Sequence, residues 1–150
     1  MITTKRRFKR ASNKEKLYKF LRDKTNIFLT YAEIFVFLIS LGVRYRKKKP
    51  LEDNKLEPIA YTSFSDDAIN FMNLVVLMET QDINSLILSD EESVKNYMKI
   101  VEEYANGGAE ILLPKLEIHP ENSYEILLNF LEKEINSQFP DFLDKGLFED

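Results

Sequence analysis

A chain of 150 residues that is 44% hydrophobic and has no cysteine can bury one domain-sized core, and it excludes disulfides, thiolate catalysis and Cys-ligated zinc or iron–sulfur sites. Its formal net charge of −4 conceals a segregation. Residues 1–49 hold 15 Lys and Arg against three acids and residues 50–150 hold six Lys against 22 acids, about +12 and −16, so one region attracts polyanions while the remainder repels them.

The opening MITTKRRFKRASNKEK has a charged region with no apolar run behind it, so no secretory signal is expected. Residues 1–11 read as a basic mobile arm, 12–138 as a single helical domain, and 139–150, rich in acids and aromatics, as a tail. Ser12 with Glu15, Thr30 with Glu33, and Ser89 with Glu92 match the capping box, in which the hydroxyl accepts from the third backbone N–H and the carboxylate reaches back. A first helix is predicted from Asn13 to Asp23, with Leu17, Phe20 and Leu21 on its apolar stripe. A second, Tyr31 to about Leu41, is apolar on nearly every side, with Gly42 placed to stop it. The surrounding stretch Ile27 to Val43 has 17 residues, a marginal length for a membrane span, and it contains Glu33; a buried core helix is expected and no membrane contact.

After the basic run Arg44 to Lys49, the segment PLEDNKLEP reads as a loop. Ile59 to Phe64 suits either one short strand or a direct lead into the next helix, from Asp66 to about Thr80, which Ser65 caps. A further helix starts at Asp90 and carries Val94, Tyr97, Met98, Val101 and Tyr104 at helical spacing. Asn106-Gly107-Gly108 is expected to end or bend it. Ala109 to Ile118, interrupted by Pro114, and a last helix from Glu121 to about Ser137 complete a mainly α fold of about five to six helices.

Chemistry-bearing patterns are sparse. His119 is the one histidine and reads as a helix-entry residue, because imidazole metal sites need several ligands and nucleophile–base pairs need a defined partner. Carboxylate runs such as Asp90-Glu91-Glu92 and Glu102-Glu103 splay about 100° per helical residue and suit a solvated face. No phosphate-loop, dinucleotide, zincin or nucleophile-elbow motif occurs. No catalytic residue, metal or cofactor is expected.

Two basic clusters stand out. Lys5, Arg6, Arg7, Lys9 and Arg10 enclose Phe8, and Arg44, Arg46, Lys47, Lys48 and Lys49 enclose Tyr45. Such clusters release counterions from phosphates, and an interleaved aromatic can stack on a base, so these ten cations are the candidate DNA contacts.

Three stretches carry a family resemblance: TYAEIFVFLISLGVRYRKKKPL (Thr30 to Leu51), NLVVLMETQD (Asn73 to Asp82) and EEYANGGAEIL (Glu102 to Leu112). Together they resemble the small proteins associated with bacterial Dnd DNA phosphorothioation systems, in order over about residues 26 to 130. The most specific portion holds Glu103, Tyr104, Asn106, Gly107 and Gly108, expected as a structural motif. The resemblance implies an accessory component of a phosphorothioation-linked or related anti-phage defence cluster, with no catalytic residues to carry over. The expectation is a cytoplasmic, non-enzymatic subunit that binds DNA through its basic third and a larger defence-system protein through the remainder. The alternative is a protein-only adaptor or self-assembling scaffold without DNA contact, and the charge split is compatible with a homo-oligomer.

Overall fold

The computed structural model describes residues 6–25, 27–118, 124–125, 127–129 and 131–132. By its contacts the chain divides into two units, Met1–Leu112 and Leu113–Asp150. Among the described residues four α-helices dominate: α1 (Glu15–Asp23), α2 (Tyr31–Arg44), α3 (Asp66–Thr80) and α4 (Glu91–Ile118). Two-residue strands β1 (Arg7–Phe8) and β2 (Ile59–Ala60) pair antiparallel, Arg7 opposite Ala60 and Phe8 opposite Ile59. The fold is thus mainly α with a short strand in the 59–64 region, as the patterning predicts. In the second unit, residues 124–125, 127–129 and 131–132 are helical, inside the stretch expected as the last helix. His119 and the tail over 139–150 lie outside the described residues.

The helix starts follow local chemistry, with two departures. At α2 the Thr30 hydroxyl accepts from the Glu33 N–H at 3.2 Å, and the Glu33 carboxylate accepts from the Leu29 N–H at 2.9 Å. At α3 the Ser65 hydroxyl accepts from the Ala68 N–H at 3.1 Å, with Asp66 and Asp67 in the first turn favoured by the helix dipole. Ser89 and Glu92 do not form the expected box at α4. Asp90 caps it instead, accepting from the Ser93 N–H at 2.7 Å, a bond that holds its carboxyl below the ordinary range. The Ser12–Glu15 box is likewise absent, because the Ser12 hydroxyl accepts from the Lys55 N–H at 3.1 Å. A 3₁₀ turn, Ser12–Lys14, precedes α1 in its place.

α2 lies at the centre of the core. Ile34, Phe35, Leu38 and Ile39 are fully buried, as are Leu21 of α1, Met72 of α3 and Val101 of α4; each such side chain contributes about 1.5–3 kcal/mol relative to exposure. Among the described residues no helix is long and apolar enough to cross a membrane. Phe8, Phe35 and Phe64 form a mutual aromatic cluster with ring centroids 5.1 to 5.8 Å apart. Phe8 is fully buried, so from Arg6 to Ala11 the segment expected as a mobile arm is part of the packed unit. An apolar residue inside a basic cluster became the anchor that fixes its neighbours.

Candidate nucleic-acid interface

The second basic cluster begins where α2 ends. The Lys47 N–H donates to the Gly42 carbonyl at 2.8 Å and the Arg46 N–H to the Val43 carbonyl at 3.2 Å, the paired bonds of a Schellman end. Its left-handed position, normally glycine, is Arg46 with φ of 53°, a strain of about 1 kcal/mol. Helix α2 therefore runs three residues past its predicted end at Leu41. Gly42 is inside it.

From there the chain crosses α4. The Lys49 N–H donates to the Glu103 carbonyl at 3.0 Å, and the Asn106 amide donates to the carbonyls of Lys49 and Pro50, each at 3.2 Å. The Lys48 ammonium pairs with Glu79 of α3, which also accepts from the Tyr104 hydroxyl. Those two donors, Lys48 first, hold the Glu79 carboxyl below its usual range, and burial pushes the Tyr104 phenol up to about 12. Lys49 Nζ lies 3.2 Å and Lys14 Nζ 2.6 Å from the same oxygen of Glu110. That clamp, dominated by Lys14, lowers the Glu110 carboxyl. Lys14 itself is only 2% exposed, so Glu110 compensates a buried charge.

The glycines permit this crossing. A Cβ on Gly42 would lie 2.9 Å from the Tyr104 carbonyl carbon, one on Gly107 2.6 Å from that of Lys47, and one on Gly108 2.7 Å from that of Leu38. Asn106-Gly107-Gly108 do not end α4, the first of the two outcomes the sequence suggests; the helix continues through them and through Pro114 to Ile118. These residues exist for close backbone approach, not for left-handed dihedrals. Glu103, Tyr104, Asn106, Gly107 and Gly108 thus form one helical patch that holds α2 and the basic run.

The N-terminal cluster is placed differently. Arg6 lies 3.6 Å from Glu91 at the start of α4, and the Lys9 N–H donates to Glu102 at 2.6 Å further along it. Arg7 and Lys9 are exposed. Arg10, expected as a DNA contact, is turned inward: it is 4% exposed, donates to the Glu57 carbonyl at 3.0 Å, and lies over the rings of Tyr18 and Tyr31 at 4.8 and 4.5 Å. Its Nε and the Asn106 Oδ1 have no partner among the described residues, and both residues border one cavity of about 10 Å³, the room one water needs. Lys5 lies outside the described residues.

Both clusters therefore lie against α4, yet they present few of their charges in the same manner. Arg44, Arg46, Lys47, Arg7 and Lys9 are exposed, whereas Lys48 and Lys49 are committed to Glu79 and Glu110. Two cations escaped the sequence reading. Lys95 and Lys99 of α4 are exposed and line one open groove with Arg6, Arg7 and Lys9; their i, i+4 spacing is visible in the sequence but lies within a net acidic stretch. Among the described residues no cluster of three metal-ligating side chains is present.

The family model described as DNA sulphur modification system-associated protein 4 matches residues 7–145. That span is wider than the 26 to 130 expected from the resembling stretches, and it takes in Arg7, Lys9 and Arg10 as well as Arg44 to Lys49. No curated protein and no solved structure matches the chain.

Proposed function

Since the chain belongs to the DNA sulphur modification system-associated protein 4 family, we propose that it is a cytoplasmic, non-catalytic accessory subunit of a phosphorothioation-linked defence system. It binds DNA through exposed cations of its basic third and a larger system protein through the remainder. The observation that carries the DNA half is the exposure of Arg7, Lys9, Arg46 and Lys47 on two segments fixed to one helix, with no ion pair to any of them among the described residues. Cations held on a rigid support contact phosphates without first ordering a flexible arm. Four phosphate contacts correspond to a salt slope of about −3.6 on duplex DNA. A gel-shift titration on a duplex at about 50 mM salt tests this half; absence of a shifted species at micromolar protein removes it.

Support for the protein half comes from α3 and the turn after it. Leu74, Met78, Ile83 and Ile87 are 49 to 65% exposed, and a tight turn at Gln81, with φ of 53°, returns the chain toward the end of α3. Exposed apolar side chains grouped in this way are characteristic of contact surfaces. The same observation favours the second reading, a protein-only adaptor or self-assembling scaffold. Leu74→Glu with Ile83→Glu separates them: loss of the partner with DNA binding intact supports the two-surface subunit. Sedimentation at low and high salt tests charge-driven self-association, which screening should dissolve.

A further inference from the structure

The segment Arg6 to Lys9 runs alongside the first half of α4. Arg6 meets Glu91 near the helix start, and the Lys9 N–H meets Glu102 three turns later. Between segment and helix is an open groove of about 730 Å³ whose lining includes Arg6, Arg7, Lys9, Lys95, Asn96 and Lys99. We propose that this groove holds a nucleic-acid strand by its phosphates, with Lys95 and Lys99 on one wall and Arg7 and Lys9 on the other.

The distribution of charge along the groove supports this. Its acids stand at the two ends: Glu91 and Glu92 at the helix start, Glu91 beside Arg6, and Glu102 at the far end under the Lys9 N–H. The ionisable side chains between those ends, Lys95 and Lys99, are both basic, and neither is in an ion pair among the described residues. A four-residue step along the helix sets them about 6 Å apart along the axis and on one face. Burial pushes the Glu102 carboxyl up to about 7, against the opposing pull of the Lys9 N–H and charge, with Glu103 adding a smaller upward push. A neighbouring polyanion would therefore meet a carboxyl that takes up a proton readily.

The inference rests on the DNA-binding half of the proposed function and adds contacts that lie outside the basic third. Fluorescence anisotropy with a labelled 20-base-pair duplex and its single strand tests it, using the full chain, Lys95→Ala with Lys99→Ala, and Arg46→Ala with Lys47→Ala. The expected result is about tenfold weaker binding for the α4 pair at low salt and a salt slope shallower by about 1.8, restored by Lys95→Arg with Lys99→Arg. A wild-type complex that the α4 pair leaves unchanged within twofold overturns the groove while the DNA-binding reading stands. Failure of the wild-type chain to bind either nucleic acid overturns both. Competition by polyglutamate as strong as by DNA assigns the groove to acidic protein and overturns the nucleic-acid assignment.

Discussion

The two basic clusters look interchangeable as sequence, with five cations around one aromatic in each, and the fold treats them in opposite ways. The Arg44–Lys49 run is bound to its surroundings by its lysines: Lys48 goes to Glu79, Lys49 to Glu110, and its backbone is gripped by Asn106. The Arg6–Arg10 segment is held by Phe8 in the core, Arg10 over two rings, the Lys9 N–H on Glu102 and the Arg6 side chain on Glu91. A count of cations therefore overstates both as interfaces, since Lys48 and Lys49 in the one and Arg6 and Arg10 in the other are committed within the fold. The location of the anchor decides which charges are left for a partner.

The strongest way to break this contrast is at the crossing. Gly108→Ala places a methyl group against the Leu38 backbone and is expected to destabilise by about 3 kcal/mol or more, although Gly→Ala in an exposed helix would stabilise by about 1 kcal/mol. Urea denaturation reads the sign directly. Next comes Glu110→Ala, which leaves Lys14 buried with only Asn13 as a close partner; a loss of about 3 kcal/mol is expected, measurable as a shift in denaturation midpoint.

How far these features were legible depended on whether their cause was local. The Thr30 and Ser65 caps and the apolar α2 follow from side chains within four residues, and they are found where the sequence puts them. Gly42 and Asn106-Gly107-Gly108 are ambiguous in sequence because glycine serves both left-handed helix ends and close backbone approach. The partner that decides between these, such as Leu38 for Gly108, is distant in sequence. Lys14 and Arg10 look like surface cations until Glu110, 96 residues from Lys14, and the Glu57 carbonyl, 47 from Arg10, are brought to them. Lys95 and Lys99 were hidden by the acidic average of their half of the chain.

Smaller effects sharpen the contrast. Burial raises the folded Glu102 carboxyl from 4.5 to about 7, so the ionised form is disfavoured in the native state. Its cost begins as pH rises above 4.5 and is complete above 7, and stability falls across that window. Glu102→Gln should therefore be more stable than the wild type at pH 8, by about 2 kcal/mol after discounting for partial exposure, with the difference shrinking at pH 5 in matched thermal melts. Last, Arg46→Gly relieves the left-handed strain at the end of α2 and should raise stability by about 1 kcal/mol. A loss there would mean that the Arg46 side chain holds the run in place.

The most direct measurement is the salt dependence of duplex binding between about 50 and 200 mM, for the wild type and for the combined Arg7→Ala, Lys9→Ala, Arg46→Ala, Lys47→Ala variant. All four side chains are exposed, so the variant should melt with the wild type. The expected result is wild-type binding that weakens with a slope of about −3.6 or steeper, and a slope shallower by about 3.6 in the variant. Wild-type binding that is absent, or whose salt dependence the four substitutions leave unchanged, would contradict DNA recognition by these residues.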